Sequence, residues 1–384
     1  MVIGSETISH ATLSRRRCRT CSATYRANFA WLAGRKVNTA SYNDIQSQGV
    51  YFVSDSIGFH VTYLELTRLR LMRAKCAPGQ EAGVLRLFHK AVADFPAQET
   101  LRDHLLRALE GVALAHRAPG VRLAFEVESP SSLYDGDRAN FIFPQTRTTK
   151  CVSIDGHFGV NRRLEPGVDA RDKARSGRPR EIPEWERSAS CATKDLHRAT
   201  IPQRTGGWQF AVDPVTRMCL GAKEHIQNEC PSDKHDLLQE LLQVPGVLCD
   251  LIMHDDACHL EAFVRKRYPE VYRKVKYFII DEWHRRNHKC TKRDLTADEQ
   301  ARVAGLNGGI SGQFNAFIRQ FNFWLNYLRP SAHRFWLWEI IHFYNSNVRE
   351  LSTAWNTKPR SNAPKRANPQ RAAHRANAKR PRLQ

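Results

Sequence analysis

Neither membrane spans, nor a secretory signal, nor a disulfide framework is expected from this sequence. No uncharged apolar run approaches the roughly 20 residues that span a bilayer, so no membrane crossing is expected. The opening residues, Met1 to Ser14, have neither the charged start nor the apolar stretch of a secretory signal, and an intracellular chain is expected. The 10 Cys are scattered along 384 residues and read as reduced thiols or metal ligands. Acid is also in short supply. Lys and Arg number 59 against 39 Asp and Glu, which gives a formal charge of +20 and a pI near 9.8.

Such a field attracts polyanions, chiefly nucleic acids and anionic membrane surfaces. No basic amphipathic helix with a broad aromatic face stands out, so DNA is the expected partner, together with a second copy of the chain. Nine of the cations follow Leu351, where there is no acid, leaving +11 on the remainder. A hydrophobic fraction of 41% with 8 Trp and 18 Phe is too rich for a disordered protein. The length suits two or three domains.

Composition and periodicity divide the chain into four parts. Residues 1–50 form a basic segment whose compact signal is Cys18-Arg19-Thr20-Cys21, half of a tetrahedral zinc site with no second half before Cys76. Residues 51–146 are expected to be mainly helical. Val84, Leu85, Leu87, Phe88 and Val92 form one packing stripe over 82–95, and Leu101, Leu105, Leu106, Leu109 and Val112 another over 99–114. Residues 351–384 read as a disordered basic tail, in which Lys379-Arg380-Pro381-Arg382 suits a nuclear import signal and a nuclear location.

The core, 147–350, changes to strands. Its order is β-β-β-α-β-α-β-α, with strands expected at 149–155, 207–212, 218–222, 247–253 and 277–280, and helices at 232–243 (capped by Ser232) and 257–267. Further helices are expected at 314–328, ended by Arg329-Pro330, and at 334–344. The charged stretch 162–187 reads as an exposed insertion. Three leading strands followed by α/β alternation predict a mixed five-stranded sheet with flanking helices. In open α/β sheets the working site lies beyond the carboxyl ends of the parallel strands. Asp155 and the pair Asp255-Asp256 stand at two such ends. Converging carboxylates repel, and Mg²⁺ or Mn²⁺ held by one or two of them relieves this. A separate cluster, His284, His288 and Cys290, with Cys258 as a further ligand, is a candidate zinc site.

These residues carry a resemblance. Ser153-Ile154-Asp155-Gly156-His157-Phe158 resembles the D-G/A-N-F signature of Kyakuja–Dileera–Zisupton transposases. His254-Asp255-Asp256-Ala257-Cys258 resembles that family's Y-D-x-A-C motif. Asp281-Glu282-Trp283-His284-Arg285-Arg286-Asn287-His288 resembles its D-x-F-H-x-x-x-H element, and Cys191 sits where the family tends to have a Cys. The resemblance implies an RNase H-like fold with a DDE/DDD two-metal site for DNA cleavage and transfer. It makes Asp155 the first catalytic acid and Asp255 the second, with Asp256 a close alternative. The family's third acid is a Glu in an E-Q-x-F context, where this chain has Gly312-Gln313-Phe314. Asp281, Asp298, Glu299 and Glu339 are the acids that could substitute. The expectation is a transposase-derived protein impaired by Gly312. A non-catalytic DNA-binding protein that keeps the fold, and a nuclease acting on RNA–DNA hybrids, are the alternatives.

Overall fold

A computed structural model describes residues 1–4, 8–9, 16–17, 24–25, 27–32, 35–127, 129–131, 141–143, 148–164, 203–226, 229–286, 288–290 and 294–356. Met1–Asn345 form one compact unit and Ser346–Gln384 a second.

The first part of the chain holds more strand than its sequence suggests. The strands β1 (Val2–Ile3), β2 (Ile8–Ser9), β3 (Arg16–Arg17), β4 (Thr24–Tyr25), β5 (Phe29–Leu32) and β6 (Arg35–Asn38) precede α1 (Tyr42–Gln48). Ser41 and Asp44 form a capping box at the start of α1, and Gly49 ends it in the left-handed region at φ 70°. After α1 come β7 (Val50–Phe52) and β8 (Gly58–His60), then α2 (Val61–Leu69), α3 (Pro78–Phe88) and α4 (Gln98–His116). Two four-stranded sheets result, ordered β2-β1-β8-β7 and β3-β4-β5-β6. The expected mainly helical character therefore holds only from Val61 onward. The stripe expected over 82–95 also fails in part. α3 ends at Phe88, and Val84, Leu87 and Phe88 are more than half exposed, leaving Leu85 buried. Val92 lies beyond the end of the helix, and periodicity does not mark which of the remaining residues another element covers.

The central sheet is built from β9 (Phe141–Ile142), β10 (Thr149–His157), β11 (Gly207–Val212), β12 (Cys219–His225), β13 (Val247–His254) and β14 (Tyr277–Ile280). Its order is β14-β13-β10-β11-β12-β9. β10, β11 and β12 are antiparallel neighbours, whereas β13 runs parallel to β10 and β14 parallel to β13. The sheet is mixed as expected, with β9 added at its edge as a sixth strand. The helices are α5 (Pro231–Gln243), α6 (Ala257–Arg267), α7 (Glu282–Arg285), α8 (Ala297–Val303), α9 (Ile310–Arg319), α10 (Asn322–Leu325) and α11 (Pro330–Asn356).

Both faces of this sheet are covered. Every residue of β11 is buried, which is why a central strand reads as a nearly continuous apolar run. Val152, Ile154 and Ile252 pack with Leu238 of α5 and Phe263 of α6. On the other face Cys151, Leu251, Met253 and Ile279 meet Val303 and Leu306. Phe314 of α9 packs edge-on against Phe210 at 5.0 Å. Each such fully buried aromatic contributes about 1.5–3 kcal/mol.

Four boundaries differ from expectation for identifiable reasons. Pro231, not Ser232, opens α5, since a missing N–H costs nothing at a first helical position. The helix expected over 314–328 is two pieces, α9 and α10, and Pro330 starts α11 rather than only ending its predecessor. The insertion was expected to begin exposed at Arg162, but that guanidinium is buried and paired with Glu224 at 2.8 Å; residues 165–202, including Cys191, lie outside the described residues. The disordered tail was expected from 351, yet α11 continues to Asn356, because no Gly or Pro intervenes before Pro359. The remainder of the tail lies outside the described residues.

Candidate functional site

Strand register brings the predicted acids together. Ile154 pairs with His254, and His254 pairs with Ile280, so one rung crosses all three parallel strands. In each strand the next residue is an aspartate: Asp155, Asp255 and Asp281. Neighbouring strands lie about 4.8 Å apart, so three aspartates succeed one another along the carboxyl edge of the sheet. Asp155 is not at a strand end on its other side, where pairing with β11 continues through His157.

The crowding is visible in the acidity of Asp155. Burial first, then the charges of Asp255 and Glu229, push its carboxyl up to about 7, against a smaller opposing effect from His284. Asp256 turns away. It is bonded to His259 Nδ1 and stays below its ordinary value through that contact although burial opposes it. Asp255, rather than Asp256, thus faces Asp155, which separates the two candidates for the second acid.

Three residues that sequence reasoning missed, Glu229, Lys234 and Asn315, complete the neighbourhood. Glu229, just ahead of α5, lies against Gly156, and a Cβ at Gly156 would collide with its carboxylate. The glycine after Asp155 is what lets Glu229 approach. Lys234 of α5, 6% exposed, pairs with Glu229 at 2.9 Å. Burial opposes charge on Lys234, yet Glu229, Asp255 and Asp256 outweigh it and hold its pKa at about 12. Glu229 is likewise kept below its ordinary value, by Lys234 and then His254, although burial opposes this. Burial and then Lys234 push the His254 pKa down, while Asp255, 3.0 Å from its Nε2, opposes this; its Nδ1 meets the Ile154 carbonyl at 3.0 Å. That bond makes Nδ1 the donor and leaves Nε2 to accept from Lys234 Nζ.

The third missed residue is Asn315. Its Nδ2 donates to Asp155 Oδ2 at 2.8 Å and reaches the Gly156 carbonyl at 3.3 Å. Ser311, one turn earlier, donates to Ser153 Oγ at 2.7 Å. The match is geometric. Four helix residues rise about 6 Å and two strand residues about 6.6 Å, so Ser311 and Asn315 pair in step with Ser153 and Asp155. A polar pair four apart in an otherwise apolar helix was the signal available in the sequence. Gly312 lies off that line, is exposed, and a Cβ there would meet open space.

Of the four acids that could replace a third carboxylate, three are engaged elsewhere. Asp298 accepts from the Tyr277 hydroxyl, Glu299 caps α8 with Thr296, and buried Glu339 pairs with Arg68 and Arg117. Asp281 remains at the site, bonded to His284 Nδ1 at 2.6 Å.

The expected zinc cluster regroups. His284 belongs with Asp281, and Cys258 takes its place beside His288 and Cys290. His288 Nδ1 lies 3.7 Å from Cys258 Sγ and 3.8 Å from Cys290 Sγ. A tetrahedral zinc with ordinary bond lengths puts nitrogen and sulfur ligands about 3.6 Å apart, so the three atoms fit one ion. Asp256 Oδ1, 3.8 Å from Cys258 Sγ, is within reach as a fourth. Cys18 and Cys21 lie outside the described residues. Comparison with known proteins returns no matching family model, no matching curated protein and no matching solved structure.

Proposed function

We propose that the chain is a transposase-derived protein of the DDE/DDD type, with an RNase H-like core that holds a divalent cation and acts on DNA. The observation that carries this reading is that Asp155, Asp255 and Asp281 each follow a residue of one register rung, and that burial, then the charges of Asp255 and Glu229, push the Asp155 carboxyl up to about 7. The strand order, with three antiparallel strands extended by two parallel ones on the β10 side, supports an RNase H-like core. The net charge of +20 supports DNA as the bound polyanion.

Asp155 and Asp255 would hold Mg²⁺ or Mn²⁺ through hard carboxylate oxygens. Bound there, the ion would polarise a phosphoryl oxygen and lower the pKa of an attacking water or hydroxyl. Lys234 and Glu229 compensate one another behind the site. Asn315 orients the Asp155 carboxylate through its amide. On this reading the third acid is missing at Gly312, so cleavage and transfer are slow relative to metal and DNA binding. Cys258, His288 and Cys290 would hold a structural zinc that ties the start of α6 to the segment after β14.

Calorimetric titration of Mn²⁺ into the full chain, beside Asp155→Asn, tests the central claim. Specific binding in the wild type that is lost in the variant supports it. Equal binding by both proteins, or none by either, would leave salt-sensitive DNA binding without strand chemistry. That second reading is favoured by one observation, the neutral Asn315 facing Asp155.

A further inference from the structure

A cavity of about 430 Å³ opens between α4 and the α10–α11 segment. It is reached from the acid site through α10. Asn322 and Asn326 flank the loop after β10, and Asn326 donates to the Gly159 carbonyl at 2.8 Å. The same stretch of chain presents Phe323, Trp324 and Tyr327 to the cavity.

The wall has three chemical features. Phe323 is 51% exposed and Tyr327 76%, unusual for large aromatic side chains, and Arg204 lies over the Tyr327 ring at 5.7 Å. Trp324 is buried, and its Nε1 has no hydrogen-bond partner. Arg102, Arg107 and Arg329 surround the opening. Arg102 is paired with Asp103 at 2.8 Å, and Arg329 donates to Ser131 Oγ at 3.2 Å. Among the described residues Arg107 has no acidic partner. The third feature is Glu110, 2% exposed, whose carboxylate lies 4.0 Å from Arg329 and accepts from the Ser131 backbone N–H at 3.3 Å.

A ligand for this wall needs a flat π face, an anionic group and an amino donor. Stacking on exposed aromatics is how unpaired bases are held without regard to sequence. Guanidinium groups beside them suit the adjoining phosphate. A buried carboxylate suits the exocyclic amine of cytosine, adenine or guanine, which thymine lacks.

From this juxtaposition we infer that the cavity binds a single unpaired nucleotide of a DNA strand. The base stacks on Tyr327, its amine meets Glu110, and its phosphate meets Arg107. The inference rests on the reading of the chain as a DNA-binding protein and names where an extruded base goes. A ring that carries a phosphate in another context, such as a phosphotyrosine peptide, would present no amine to Glu110.

The test is a fluorescence titration of the full chain in EDTA with duplex DNA holding one unpaired fluorescent adenine analogue. The fully paired duplex serves as control. The wild type is expected to quench the probe and to bind it about tenfold more tightly than the paired duplex, the size of one base–aromatic stack. Tyr327→Ala should abolish the quench and the tenfold preference while leaving paired-duplex binding unchanged; exposure of the ring protects the fold of the variant. Arg107→Ala should weaken the bulged probe alone. An unpaired thymine should bind less tightly than an unpaired adenine or cytosine. Equal binding of bulged and paired DNA, or a quench that survives Tyr327→Ala, overturns the inference, as does displacement of the probe by phosphotyrosine peptide at lower concentration than by a bulged oligonucleotide. Asp155→Asn run in parallel separates the two readings. The cavity requires an unchanged quench in that variant, whether or not metal binding and cleavage are ever observed.

Discussion

Asp155→Asn should stabilise the metal-free protein, and should do so increasingly as pH rises above about 4. Burial and the Asp255 and Glu229 charges raise the carboxyl from an ordinary 3.8 to about 7. A carboxyl displaced that far costs the fold about 4 kcal/mol once it is ionised. The direction follows from proton counts. Between about pH 4 and pH 7 the folded carboxyl keeps a proton that the unfolded one has released, so wild-type stability falls as pH rises through that window. About 1.5 kcal/mol of the cost is already present at pH 5, because the unfolded carboxyl is ionised there. The variant should therefore gain about 2–3 kcal/mol on the wild type between pH 5 and pH 8, a difference from which any change in packing cancels. Urea unfolding in EDTA across that range measures it, provided both proteins keep the same dependence on denaturant. Saturating Mn²⁺ should restore the wild type and leave the variant unmoved. A stability difference that stays flat from pH 5 to pH 8 would refute the crowding of Asp155, and with it the main electrostatic argument for a cation.

Three further outcomes are expected. Gly156→Ala places a methyl group against the Glu229 carboxylate and should cost about 1–3 kcal/mol, read by thermal or urea unfolding; unchanged stability would show that Glu229 does not approach β10. Gly312→Glu meets open space and replaces a helical glycine, so it should be neutral or about 0.5–1 kcal/mol stabilising. If it supplies the missing acid, it should also tighten Mn²⁺ and raise DNA cleavage, and a variant with wild-type affinity and activity would place the third ligand elsewhere. Cys258→Ser should release one equivalent of zinc from the purified protein, counted by elemental analysis, whereas a wild type already free of zinc would dismiss that cluster.

Much of the sheet was legible because buried parallel strands must be apolar throughout and their helices must stop. α6 and β14 fall where expected, since Tyr268-Pro269 ends the one and Asp281 closes the other. The first-part strands were not legible because two to four residues are too few to show a period of two. Glu229 was invisible for a different reason. It is one acid in a loop, without periodicity, and only the glycine across from it in space explains its place. Asn315 left a weak trace, an amide in a largely apolar helix, whereas the family motif points three residues earlier, to Gly312. Cys258 could be named as a zinc ligand from sequence, yet the exchange of His284 for it depends on Asp281 holding the His284 ring. No sequence pattern encodes that competition.

The charge balance at the sheet edge bears on how many ions the site would take. Glu229 is matched by Lys234, and Asp281 is matched in part by His284. Asp256 is drawn off by His259. Asp255 lies 3.0 Å from His254 Nε2 and Asp155 accepts from the Asn315 amide, and because Asp255 raises the Asp155 pKa, a single divalent ion between the two is the expected occupant. A two-metal mechanism asks for a further carboxylate on the far side of the phosphate, which in this fold would come from α9. α9 offers the amide of Asn315 and the bare backbone of Gly312 in its place. One strong site and one weak or absent one is the arrangement these residues support, and it predicts binding stoichiometry near one before it predicts any rate. Should Gly312→Glu raise that stoichiometry toward two, the defect in the chain would be local to one helical turn, with the rest of the site intact around it.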